Sequence, residues 1–117
     1  MPHFIIDCSE NVLNLIAPAT ILQEVYDIAL SSGLFASEGV GGIKVRIRPF
    51  EHYTTVNSDN DFVHIFANIM EGRTVDQKSQ LSHLMVKRLS ELLPGVEIIS
   101  MNVREFEKST YCNRSMV

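Results

Sequence analysis

Phe62-Val63-His64-Ile65-Phe66-Ala67-Asn68-Ile69-Met70-Glu71-Gly72-Arg73-Thr74-Val75-Asp76-Gln77-Lys78 is the stretch on which the fold turns. Its first part, Phe62 to Met70, is apolar with aromatic and β-branched residues, the pattern of a buried strand. Its second part opens a helix. In Thr74-Val75-Asp76-Gln77 the Thr74 hydroxyl is placed to accept from an orphan amide of the first turn, while the Gln77 side chain reaches back to the Thr74 amide. Leu81, Leu84, Met85, Leu89, Leu92 and Leu93 then form one apolar stripe, and Pro94-Gly95 stops the helix. A further strand is predicted over about Val96 to Phe106, so this half reads β-α-β.

The first half repeats that order. Pro2 to Cys8 reads as a strand, bounded by the polar turn Ser9-Glu10-Asn11. From Pro18 to Ser32, Ile21, Leu22, Val25, Ile28 and Ala29 recur at spacings of three and four, with Pro18 suited to the first turn and Gly33 to the stop. Gly39-Val40-Gly41-Gly42 reads as a loop. Ile43, Val45 and Ile47 then alternate with Lys44, Arg46 and Arg48 up to Pro49, a strand with one apolar and one cationic face. Asn57-Ser58-Asp59-Asn60 reads as a turn between the halves, which span about residues 2–52 and 61–106 of a single domain with a polar C-terminal tail. A right-handed crossover makes the two strands of each unit parallel. Two such units give an α+β fold, a four-stranded sheet with both helices on one face. The other face then has no cover within the chain. It carries Val63, Ile65 and Ala67 or their neighbours and is expected to pack on other subunits.

A chain of 117 residues, 45% hydrophobic and 21% charged, suffices for one buried core. The net charge of −4 and a pI near 5.5 repel polyanions, and no Lys/Arg block is present, so neither nucleic acid nor a membrane surface is an expected partner. The apolar runs fall short of the ~20 residues of a membrane span. Without a signal-peptide pattern, Cys8 and Cys112 read as reduced thiols of a soluble, cytoplasmic protein. His3, His52, His64 and His83 show no metal-ligand spacing, and no cofactor is expected. Neither Cys8 nor Ser9 sits in a nucleophile motif, and Phe50, Phe62 and Phe106 read as core or interface residues.

Chemistry enters at the amino terminus. Loss of Met1 would leave Pro2 with a secondary amine, and an α-amine with a reference pKa of about 8 is a base poised near neutrality. Arg73 lies at a helix start, where a cation opposes the helix dipole and invites an anion that the first amides would also attract. Lys44, Arg46 and Arg48 either serve an anion site or pair with Glu51, Glu97 and Glu105. Arg48 is assigned to pairing, and Arg46 stands between the two roles.

The segment from Phe62 to Lys78, with its strand ending in Glu71-Gly72-Arg73 and its capped helix opening on Asp76-Gln77-Lys78, resembles the tautomerase superfamily. Pro2 opening a strand is that superfamily's other hallmark. Two β-α-β halves with proline only on the first, the opening Pro2-His3-Phe4-Ile5-Ile6-Asp7-Cys8-Ser9, and Ser32-Gly33-Leu34-Phe35 are similar to the 5-carboxymethyl-2-hydroxymuconate isomerase branch. The resemblance implies a homotrimer that moves a proton on an unsaturated hydroxy or keto dicarboxylate from aromatic-compound degradation, with Pro2 as the acid/base and arginines holding the carboxylates. Gly72-Arg73 aligns with the superfamily's Gly-Arg, which implies a carboxylate-binding Arg73. The second cation falls in Gly41-Gly42-Ile43-Lys44-Val45-Arg46, matched with a short insertion, on Lys44 or Arg46. Arg46 is preferred because its fork binds a carboxylate bidentately. Decarboxylation or hydration of an unsaturated acid on the same scaffold, and a non-catalytic oligomeric ligand-binding protein, are the alternatives.

Overall fold

The computed structural model describes residues 1–36, 42–57 and 60–117. Its elements run β1 (His3–Ser9), α1 (Val12–Leu15), α2 (Pro18–Ser31), β2 (Lys44–Phe50), β3 (Phe62–Met70), α3 (Val75–Leu92) and β4 (Ile98–Phe106), with a final turn of 3-10 helix at Arg114–Met116. The four strands form one sheet in the order β2-β1-β3-β4. β1 and β2 are parallel, as are β3 and β4, while β1 and β3 meet antiparallel at the centre. The two β-α-β units predicted from sequence are thus joined back to back. The predicted glycine loop at 39–42 and turn at 57–60 fall partly outside the described residues.

Local chemistry explains the helices. α2 starts on Pro18, which needs no amide partner in the first turn, and is followed by Gly33 at φ +73°, a left-handed position that suits glycine. α3 carries the predicted capping box, with Gln77 N–H donating to Thr74 Oγ1 at 3.1 Å and Thr74 N–H donating to Gln77 Oε1 at 2.9 Å. The short α1 was not legible in the sequence, since four residues cannot display a helical period. It buries Val12 at the end of β1.

Phe4, Ile6 and Cys8 of β1 meet Val63, Ile65, Ala67 and Ile69 of β3 under Ile21 and Val25 of α2 and Leu81 and Met85 of α3. This decides a choice the sequence left open: Val63, Ile65 and Ala67 face the helices, and it is their neighbours that lie on the open face. The strand register places His3, Ile5 and Asp7 there, with Lys44, Arg46 and Arg48 on one side and His64, Phe66 and Asn68 on the other. Ser100, Asn102 and Arg104 complete the rows from β4. The open face is therefore much more polar than the helix-covered one. Buried Ser9 ties the far end of the sheet together, donating to Asp61 Oδ1 at 2.8 Å and accepting from Phe62 N–H at 3.2 Å.

Candidate active site

Because β1 and β3 are antiparallel, the first residues of β1 lie beside the last residues of β3. His3 pairs with Asn68, so Pro2 stands at the level of Ile69, at the sheet end from which Glu71, Gly72 and Arg73 emerge. Pro2 is buried, and its carbonyl accepts a bond of 3.0 Å from Lys44 N–H. Lys44 reaches back over this end, donating through Nζ to the Gly42 carbonyl at 2.9 Å and lying 3.8 Å from Met1 Sδ.

Gly72 has φ +122°, a conformation that an L side chain would strain, and the chain leaves β3 through it. Arg73 follows. Its guanidinium donates to the Met70 carbonyl at 3.0 Å and the Leu34 carbonyl at 2.7 Å and sits 5.2 Å from the centre of the Phe35 ring. Phe35 in turn meets Phe4 edge to face at 5.8 Å, so a packed chain of contacts runs from Arg73 to β1. Arg73 forms one wall of an open groove of about 520 Å³ with Leu34, Met70, Glu71, Gln77 and Lys108. Glu71 holds the opposite wall in place, its amide donating to the Phe106 carbonyl at 3.3 Å and its carboxylate accepting from Lys108 N–H at 3.1 Å. Two cations, Arg73 and Lys108, thus line one groove at a helix start, an arrangement suited to an anion.

The predicted residues divide accordingly. Pro2 and Arg73 share a sheet end, and Lys44 is hydrogen-bonded to Pro2 through the backbone. Arg46 lies one residue pair further in, on the open face, where its Nη1 is 3.1 Å from His3 Nδ1. Neither Pro2, Lys44 nor Arg46 lines the groove itself. Arg48 is paired as assigned, but with Asp7, by a two-point contact of 2.7 and 3.1 Å, in place of Glu51, Glu97 or Glu105. Burial first, then the charges of Lys44, Arg46 and the amino terminus, hold the His3 imidazole below its ordinary pKa. Lys108 was missed by the sequence reading. It sits in a tail whose only signal is polarity, and only the return of that tail to Glu71 brings it to the groove. Among the described residues no group of three or more His, Cys, Asp or Glu could hold a metal ion, and no helix is long and apolar enough to cross a membrane.

A four-stranded sheet built from two β-α-β units, with Pro2 opening β1 and a Gly-Arg turn leaving β3 at the same sheet end, is the arrangement of the tautomerase fold. A sequence model of the 5-carboxymethyl-2-hydroxymuconate isomerase family matches residues 2–116, and the chain belongs to that family. It is 24% identical over 87 residues to the 5-carboxymethyl-2-hydroxymuconate Delta-isomerase of Escherichia coli, covering 73% of this chain and 67% of that one. Among solved structures, a 5-carboxymethyl-2-hydroxymuconate isomerase from Deinococcus radiodurans R1 superimposes with a TM-score of 0.79 at 20% identity, covering 97% of this chain and 88% of the other. A fused 4-OT symmetric trimer superimposes with a TM-score of 0.76 at 12% identity, covering 98% and 94%.

Proposed function

We propose that this isomerase is a homotrimer that shifts a proton along an unsaturated hydroxy or keto dicarboxylate of the 5-carboxymethyl-2-hydroxymuconate kind, with Pro2 as the acid/base. The observation that carries the reading is the placement of Pro2 and Arg73 at one sheet end, beside a groove lined by two cations. The activity of the E. coli relative supports the substrate class, and the trimeric state of the 4-OT structure supports the assembly. With Met1 attached the Pro2 nitrogen is a tertiary amide and has no basic lone pair. Removal of Met1 makes it a secondary amine in a buried position beside Lys44, and both burial and the neighbouring cation favour the neutral base. Arg73 and Lys108 would take the carboxylates.

The test begins with the intact mass of natively expressed protein, which should lack Met1. Ultraviolet assays of 2-hydroxymuconate-type diacids should then show acceleration over buffer that rises with pH as the amine loses its proton. Arg73→Ala should lower kcat/KM by roughly 100-fold, the order expected for losing charge-assisted bonds of about 3 kcal/mol. Because Arg73 also bonds two backbone carbonyls, the melting temperature is measured alongside, and Arg73→Lys, which retains a cation, should lose less. Full activity with Met1 still attached would exclude Pro2 as the base.

A further inference from the structure

His3 has no part in the proton transfer assigned to Pro2, yet β1 places it next to that residue and β2 surrounds it with cations. Lys44 is its register partner, and Arg46, the partner of Ile5, reaches back to its ring. A guanidinium can only donate hydrogen bonds, so the Nδ1 lying 3.1 Å from Arg46 Nη1 must present its lone pair. Accepting that bond requires a neutral imidazole with its proton on Nε2. Phe106 meets the same ring edge to face at 6.0 Å, so two contacts fix its plane. Among the described residues the charged groups around it are Lys44 and Arg46 from β2 and Arg104 of β4 beyond Asn68, to whose Oδ1 it donates at 3.1 Å, while the amino terminus, once Met1 is gone, is the neutral amine of Pro2. Asp7, two residues along β1 on this face, is held by Arg48. Such surroundings resist protonation of His3 and keep its Nε2–H available as a neutral donor beside the amino terminus.

We infer that Arg46 holds His3 as the neutral, Nε2-protonated imidazole and that this N–H donates a hydrogen bond to the keto or dienolate oxygen of the substrate. The inference rests on the proton shift proposed for Pro2. When the Pro2 nitrogen takes a proton from carbon, the electron pair of the C–H bond moves through the conjugated system to that oxygen. His3 stabilises the charge there without giving up its own proton. Pro2 then returns its proton to the distal carbon, and the oxygen regains its double bond. Arg46 is a positioning residue in this scheme, distinct from the carboxylate clamp expected for it from sequence.

Three measurements on the Met1-free protein test this. Nitrogen-15 spectra of His3 at pH 7 should show a protonated Nε2 and an unprotonated Nδ1, and in Arg46→Met the titration of His3 should move up toward the ordinary histidine value. An imidazolium, or a proton on Nδ1, overturns the proposal without touching the role of Pro2. In turnover, His3→Ala should lower kcat by about 100-fold, the usual loss for a donor to a developing oxyanion, with KM changed only a few-fold. His3→Gln, whose amide N–H2 falls near the position of Nε2, should recover most of that loss, and His3→Asn should not. Unchanged kcat in His3→Ala overturns the donor role even if the tautomer is as stated. Should the unmodified protein turn over none of the diacids, addition of 2-hydroxymuconate decides. A shift of the His3 Nε2–H resonance on binding supports the contact, and no shift, or no binding, overturns it.

Discussion

Cys8 points into the core from β1, and burial, aided by the carboxylates of Asp7 and Asp61, pushes its thiol up to about 11. A raised value means the thiol holds its proton until the pH approaches that value, so almost no thiolate is present at pH 8. Cys112 is exposed. An aromatic disulfide reagent at pH 8 should therefore titrate one thiol rapidly and the second only with unfolding, and Cys112→Ser should remove the rapid phase. Two rapid thiols would mean that β1 opens under native conditions. Reactivity of this kind follows from depth, which a sequence conveys only through its apolar periodicity. The same limit divides the candidate site. Arg73 was legible because the glycine before it and the capping box after it are local signals. The partner of Arg46 was not, since it sits 43 positions away and is chosen by the register between β1 and β2. Lys108 was less legible still, because its place depends on bonds that tie the tail back to Glu71, 37 positions away.

At the scale of elements, the strongest sequence signals gave the most accurate boundaries. β3 spans Phe62–Met70 as read, and α3 begins at the predicted cap. The face that β3 buries was left open by the sequence, because both its faces carry apolar residues and period alone does not orient a strand between them. Pairing with the clearly one-sided β1 decides it. α3 shows which local features hold the fold. Thr74→Ala removes the acceptor for Gln77 N–H and should cost about 1 kcal/mol in urea unfolding. Leu81, 1% exposed against the sheet, should cost about 2–5 kcal/mol as Leu81→Ala. Arg88, which reaches Glu24 of α2 through two bonds of 2.9 Å on the surface, should shift the midpoint hardly at all as Arg88→Ala, since screened pairs contribute little. These comparisons belong at one fixed protein concentration, because assembly would couple to unfolding. A larger loss for Arg88→Ala than for Leu81→Ala would reverse the ranking of packing over surface charge.

The whole chain is less compact than its length allows. Its radius of gyration is 15.0 Å, with extents of 46 × 27 × 25 Å, against about 13 Å for a compact chain of this length. One sheet and one helix layer leave Ile5 and Phe66 at the middle of a face that no element of the described residues covers. Burying polar groups is costly only where they lack partners, and here many are already satisfied within the sheet. His64 is bonded to Ser100 Oγ and Asn102 Oδ1, each at 2.6 Å, and Arg104 donates to Asn68 at 3.1 Å while lying 4.3 Å from the Phe66 ring centre. Such a face can be covered by another subunit without stranding those groups. Light scattering on the purified protein should accordingly give three times the 13.2 kDa of one chain at micromolar concentration. Phe66→Glu, which sets a charge at a partly buried position at the centre of the open face, should break that species into monomers. Leu30→Glu, a change to an exposed residue of α2 in the helix layer on the other side of the sheet, should leave it intact. A stable, folded 13.2 kDa monomer of the unmodified protein would show that the sheet tolerates solvent on this face and would remove the assembly.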